Sequence, residues 1–159
     1  MAIKKPKKNL SPTIENRRAR HEYYFVQEYE AGIVLTGTEV KSVREGKVNM
    51  GDSFCYITSK GEMYVKNMHI SEYKFGTYNN HNPLSIRKLL LSKQELKKIG
   101  QKTKEKGFTI VPVKLYFTER GFIKLHIALA QGKKSYDKRD SMKERDSKRD
   151  LDRVKKEYK

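Results

Sequence analysis

Two stretches of strict alternation late in the chain constrain its fold more than any other feature. Val111, Val113, Leu115 and Phe117 alternate with Pro112, Lys114 and Tyr116. Ile123, Leu125, Ile127 and Leu129 then alternate with Phe122, Lys124, His126 and Ala128. A period of two puts one apolar row inward on each strand. Thr118, Glu119, Arg120 and Gly121 close the pair as a hairpin, with Gly121 free to take positive φ. Pro112 has no N–H to give to a ladder, so it is expected at an edge or a bulge.

Other strands precede this hairpin. The run 21–30 is aromatic-rich, Glu30-Ala31-Gly32 reads as a turn, and 33–36 follows as a strand. The runs 54–58 and 63–70 flank Ser59-Lys60-Gly61, a second hairpin signal. Two helices interrupt the strands. Thr38 is placed to cap the first, Glu39 suits its positive end, Val40 and Val43 share a face, and Gly46 stops it. Ser92 and Glu95 make a capping box for the second, with Leu91 and Leu96 as a staple and Gly107 at its end. Short antiparallel strands with two helices predict a mainly β fold with short helices, a small antiparallel barrel of oligonucleotide-binding (OB) type.

Charge decides what such a body meets. In 159 residues, 36 lysines and arginines face 19 acids, a net +17. The excess points to polyanions, nucleic acid first and an anionic membrane second. No apolar run approaches the roughly 18–20 residues of a membrane span, and the N-terminus lacks the apolar stretch of an export signal, so a cytoplasmic protein without membrane attachment is expected. The charge is uneven. Residues 1–20 carry net +6, and 131–159 carry net +5 with 19 charged side chains in 29 positions. Such a tail cannot bury enough apolar surface to offset about 1–2 kcal/mol of ordering entropy per residue. The expected division is a flexible basic arm over 1–15, one RNA-binding barrel over 16–130, and a charged tail over 131–159, disordered in the free protein.

Catalytic chemistry is not expected. No phosphate-cradling glycine loop and no paired-histidine metal motif occurs. Cys55 is a lone cysteine inside an alternating run, more in keeping with a small core residue than a nucleophile. His21 and Glu22 are neighbours and would point to opposite faces of a strand. The expectation is no catalytic residue, no metal and no cofactor, so binding is the better class.

Three basic groups could serve it. Asn16-Arg17-Arg18-Ala19-Arg20-His21 offers arginine forks for phosphates, an asparagine for a base edge and a histidine to stack. Alone, it would also suit a solvated basic arm. The second group is Glu39, Lys41, Arg44 and Lys47: Lys41 and Arg44 are three apart and share a helix face, and a solvated face is the plainer account. In Arg87-Lys88-Leu89-Leu90-Leu91 at least one leucine belongs to the core, while another could wedge against unstacked bases. Glu30 is an acid on a basic chain. It is useful if it reads a base's amino edge, and otherwise it is a turn residue.

At these residues the chain resembles a known family. NRRARHEY (16–23), EAG (30–32), GTEVKSVREGK (37–47), RKLLL (87–91) and GKKSYDKR (132–139) occur in the order and spacing of the SsrA-binding (small protein B) family of bacterial ribosome rescue. That resemblance implies an OB-type barrel, binding to the transfer-RNA-like domain of transfer-messenger RNA, and RNA contact by Asn16, His21, Glu30, Leu90 and Lys124. Arg17, Arg18 and Arg20 lie around these positions, and Lys41 falls in a matching segment. His126 stands where the family more typically has lysine.

The same resemblance implies that the protein replaces the missing anticodon arm in the ribosomal A site on the small subunit. Its tail, through Gly132, Lys133, Lys134, Tyr136, Asp137, Lys138 and Arg139, would occupy the empty message channel and become helical there. Elongation factor Tu would deliver the complex, and the free protein would be a monomer. From the residues alone, a structural RNA-binding protein of the ribosome is the alternative.

Overall fold

The hairpin around Gly121 is the spine of the molecule. The computed structural model describes residues 11–157, so Lys4, Lys5, Lys7 and Lys8 of the arm and Tyr158 of the tail lie outside the described residues. Strand β8 (Phe108–Phe117) runs antiparallel to β9 (Ile123–Gly132), and Gly121 has φ +86°. The register slips between Pro112 and Lys114, so Pro112 sits at a bulge as its missing N–H requires. The extra residue reverses which side chains face inward. Ile110 and Leu115 reach the main core, whereas Val111 and Val113 face the opposite side. The single inward row expected from 111 to 117 is therefore split in two.

The remaining strands and α-helices are β1 (Ile14–Glu15), α1 (Arg17–Glu22), β2 (Tyr23–Ile33), α2 (Gly37–Arg44), β3 (Val48–Asn49), β4 (Phe54–Ile57), β5 (Met63–Lys66), β6 (His69–Ile70), β7 (Arg87–Leu90), α3 (Lys93–Thr103) and α4 (Ser135–Glu157), with one 3-10 turn over Thr77–Asn79. The main sheet has the order β1-β8-β4-β5-β7-β2-β9, and β9 pairs with β8 as well. The class is mainly antiparallel β with helices, as expected. The sheet curls back on itself, but the seam between β4 and β8 is a single pair, Cys55 with Ile110. Strand β1 takes up β8 from Lys114 onward, which leaves β4 little length to ladder against. The result is a curled seven-stranded sheet rather than an evenly laddered barrel. Strands β3 and β6 form a separate small pair.

Several local expectations change. Glu30-Ala31-Gly32 is not a turn: β2 runs through it, because Gly32 is paired on both edges, with Leu90 and with Lys124, and Ala31 is fully buried. The segment after Asn16 is a helix, with Asn16 Oδ1 accepting the Ala19 N–H at 3.2 Å. The run 63–70 breaks at Asn67, whose φ is +61°, into β5 and β6. Helix α2 is capped by Thr36, whose N–H donates to Glu39 Oε2 at 2.8 Å, and not by Thr38. The Ser92–Glu95 capping box of α3 forms as read. The sheet spans Ile14 to Gly132, so the ends of the expected arm and tail belong to the body.

The core is formed by Met63, Val65, Met68, Ile70, Leu89, Ile99, Leu115, Leu125, Ile127 and Leu129 inside the curl. A smaller cluster lies outside it, where Ala19 of α1 covers Val111, Val113, Ala128 and Ala130. The charged tail is the helix α4, 23 residues with no buried residue. Among the described residues no ion pair lies within α4, so little besides its own backbone supports most of its length.

Candidate nucleic-acid interface

Helix α1 covers only part of the outer face of β2, β9 and β8. Along β9 the outward residues are Ala130 and Ala128 beneath the helix, then His126 and Lys124 beyond it. Small apolar side chains give way to charged ones where the cover ends. The open part is ordered in rows. Leu90, Gly32, Lys124 and Tyr116 stand opposite one another across β7, β2, β9 and β8. The neighbouring row is Glu30, His126, Lys114 and Glu15, ending on β1. Glu30, Leu90 and Lys124, far apart in sequence, thus share one surface.

Its local chemistry is specific. A Cβ on Gly32 would lie 3.2 Å from the Leu90 Cβ, so glycine leaves room for Leu90, which is 53% exposed. Lys114 Nζ stands 5.3 Å from the Tyr116 ring centroid. The Tyr116 phenol is pushed up to about 12, by burial first and then by its hydrogen bond and charge contact with Glu30. Glu30 is exposed, so its carboxylate stays open to a ligand on this face. His126 Nε2 lies 3.4 Å from Glu28 Oε2, which ties the histidine at the lysine-typical position to an acid. Among the described residues Lys124 has no ion-pair partner. Beside Leu90 a cleft of about 530 Å3 opens over Met63, Leu89, Leu91 and Leu96, with Lys60 and Lys93 at its rim.

The 16–21 group divides in role. Asn16 is buried, and its Nδ2 donates to the Pro112 carbonyl at 2.8 Å and the Met50 carbonyl at 3.1 Å. Together with its cap bond, this makes Asn16 the anchor of α1 rather than a free base-reading amide. Arg18 is held by Glu22 at 3.0 Å and Asp52 at 2.6 Å. Arg17 and Arg20 are exposed, and His21 is half-buried at the end of α1. Because Asn16 N–H bonds the Val113 carbonyl, α1 starts at the edge of the open face.

Sequence reasoning missed two buried polar groups. Arg87, part of an apparently basic segment, is 3% exposed and pairs with Glu39 at 2.7 Å. It also donates to the carbonyls of Met68 and Pro83 at 2.6 and 3.1 Å. Glu39, expected on a solvated helix face, is buried with it. His81 bonds the Thr38 hydroxyl and the Ile70 carbonyl, each at 2.9 Å. A buried ion pair leaves no local mark in a sequence. Cys55 is buried, and burial pushes its thiol up, so it is an unreactive core residue.

The base of the tail is fastened to the body. Lys133 N–H donates to the Glu22 carbonyl at 2.7 Å. Its Nζ donates to the Arg20 carbonyl and the Ser141 hydroxyl, each at 3.3 Å, and lies 5.0 Å from the Tyr24 ring centroid. Gly132 ends β9 with open space where a Cβ would go. Lys134, Tyr136 and Arg139 are exposed, and Asp137 and Lys138 are half-buried. Lys41 lies away from the strand rows, with Nζ 5.2 Å from the Tyr73 ring.

A family model described as SmpB protein matches residues 13–157, nearly the whole chain. The chain belongs to the SmpB family. An SsrA-binding protein of Phocaeicola vulgatus is 55% identical over 148 residues, covering 91% of this chain and 98% of the relative. One of Cytophaga hutchinsonii is 48% identical over 154 residues, covering 97% and 99%. A solved structure described as "tmRNA-SmpB: a journey to the center of the bacterial ribosome" is similar, with TM-score 0.67 and 50% identity, over 79% of this chain and 87% of that one. Among the described residues of this SmpB-family chain no helix is long and apolar enough to cross a membrane, and no three metal-binding side chains gather.

Proposed function

We propose that this SmpB-family chain binds transfer-messenger RNA and, with it, rescues stalled ribosomes. It is an RNA-binding protein and not an enzyme. The observation that carries the site is the open half of the β2–β9–β8 face, where Glu30, Leu90 and Lys124 stand in adjacent rows. Lys124 and the exposed Arg17 and Arg20 supply phosphate contacts, which position an RNA. Glu30 accepts from a base's amino edge, and Leu90 packs against an unstacked base. His21 stands at the far end of α1, where a flanking base or phosphate would meet it.

The shape of the molecule supports the second half of the function. The body takes the place of an anticodon arm, and α4 projects from it with Lys133 fixing its base. In the A site the tail lies in the empty message channel, its cations against ribosomal RNA phosphate. The helix buries nothing of its own, so those contacts are what would hold it in place. Elongation factor Tu delivers the complex, the protein is a monomer before RNA binds, and the work is done in the cytoplasm.

The test is a stop after Lys134, which keeps β9 and the Lys133 bonds to the Glu22 and Arg20 carbonyls but removes α4. This variant binds transfer-messenger RNA almost normally and fails to transfer alanine to a stalled peptide. Replacing Asp137, Lys138 and Arg139 with alanine gives the same pattern more mildly. Full alanine transfer by the shortened protein would make the tail a solubilising appendage.

A further inference from the structure

Phe75 and Tyr78 are the most exposed large hydrophobic side chains among the described residues, at 70% and 93%. They sit on the loop between β6 and β7, which includes a short 3-10 turn over Thr77–Asn79. Single exposed rings are ordinary on a protein surface, so what counts is how this loop is built and what stands beside the rings. The loop is built rather than slack. Asn80 Oδ1 accepts the Tyr73 N–H at 3.0 Å, and Asn80 Nδ2 donates to the Tyr73 carbonyl at 2.6 Å. Gly76 N–H donates to the same carbonyl at 3.0 Å. A Cβ on Gly76 would come within 2.7 Å of the Asn80 amide, so only glycine lets this clasp close. At the foot of the loop, His81 and Arg87 tie it to α2 and to Glu39.

The clasp presents rings and cations together. Tyr73 and Phe75 meet edge to face at 5.7 Å. Lys41 stands 5.2 Å from the Tyr73 ring and Lys74 stands 5.8 Å from the Phe75 ring. Aromatic faces beside lysines are the combination that holds unpaired bases, rings for stacking and cations for the backbone. Bases inside a duplex offer no free face, so the ligand is single-stranded. Continuity with the strand rows says which RNA it belongs to. Just past the end of β2 stands Val34, and β7 is preceded by Ile86, both about half exposed, and Val34 N–H donates to the Lys88 carbonyl at 3.0 Å. Helix α2 follows β2 directly, and its Thr38 holds the loop through His81.

We propose that the loop over residues 73–78 is a second contact for the RNA on the β2–β9–β8 face, stacking unpaired bases of the same transfer-messenger RNA on Phe75 and Tyr78. This rests on that RNA being the ligand. It also gives Lys41 a role, since it sits at this loop and not in the strand rows.

The test pairs Phe75→Ala with Tyr78→Ala, both exposed, so the body keeps its fold and its circular dichroism. Full-length transfer-messenger RNA is titrated at several salt concentrations against wild type, this double variant, Phe75→Tyr and Lys124→Ala. The expected result is about tenfold or weaker binding by the double variant, with an unchanged log–log salt slope, because no phosphate contact is lost. Phe75→Tyr keeps a stacking face and binds within about twofold of wild type. Normal transfer-messenger RNA affinity in the double variant overturns the proposal, and a loss seen only in ribosome binding overturns it equally by assigning the loop to ribosomal RNA. If Lys124→Ala weakens binding while the double variant does not, the loop proposal alone fails. If wild type does not bind the RNA, both fail.

Discussion

Replacing Arg87 by alanine tests whether a segment that reads as an RNA-binding cluster is instead a structural bolt. The guanidinium makes one bond to the Glu39 carboxylate at 2.7 Å and others to the carbonyls of Met68 and Pro83. Both charged side chains are almost wholly buried, at 2% and 4% exposure. Arg87→Ala leaves a carboxylate in the interior without a cation and carbonyls without donors. Breaking one half of a buried pair costs about 3–5 kcal/mol. Glu39 keeps its bond from the Thr36 N–H, which places the expectation near the lower end, about 3 kcal/mol. In a domain stable by about 5–15 kcal/mol this is a large fraction. At about 2–4 °C per kcal/mol, Tm falls by roughly 6–12 °C. Urea unfolding followed by far-UV circular dichroism measures it. Arg87→Met combined with Glu39→Met removes both charges and recovers most of the loss, because no orphan charge remains. A cost below about 1 kcal/mol for Arg87→Ala, with an unchanged denaturant slope, would refute the buried-pair argument.

Glu30→Gln should weaken transfer-messenger RNA binding by about 1.5–3 kcal/mol if the carboxylate accepts from a base, whereas removing a negative charge beside phosphate would otherwise strengthen it. Equal or tighter binding in a gel shift takes Glu30 out of the interface. Asn16→Ala should cost about 1–2 kcal/mol of stability, since it removes a helix cap. Weaker RNA binding with unchanged stability would make Asn16 a direct contact instead. Tyr116, raised to about 12 in the folded protein, keeps its proton where an unfolded tyrosine loses it near pH 10. Its contribution is therefore complete below about pH 10 and is lost as pH rises through about 12. In an ultraviolet titration the latest tyrosine step should lie past pH 11, and Tyr116→Phe should remove it.

The parts of the fold that were legible have local signals. The 118–121 turn, the capping box of α3 and the bulge at Pro112 each follow from residues next to one another. What the bulge does was not legible. One extra residue turns Val111 and Val113 away from the row that Leu115 continues, and alternation on the page shows no slip. Glu30-Ala31-Gly32 carries a local turn signal, but strands on both sides hold it extended. The glycine there serves the side chain of Leu90 across the ladder, not a bend.

The site divides the same way. The change along β9 from Lys124 and His126 to Ala128 and Ala130 already marks where the open face meets the covered one. Asn16 and Arg87 could not be read, because their partners are remote: Pro112 is 96 positions from Asn16, and Glu39 is 48 from Arg87. Polar side chains look alike in a sequence whether they face water or a buried carbonyl. Burial, not residue type, separates the arginines that hold the fold from those free for phosphate.

Titration of the full-length protein against transfer-messenger RNA and an ordinary transfer RNA, in parallel and across salt concentrations, tests the central claim most directly. Both affinities should fall with salt, with a log–log slope near −4 to −5 if about five or six phosphates are neutralised. Transfer-messenger RNA should stay the tighter ligand throughout, because Glu30 and Leu90 contact features that charge alone does not select. Equal affinity for the two RNAs at every salt concentration would contradict it, leaving a basic surface that binds any folded RNA.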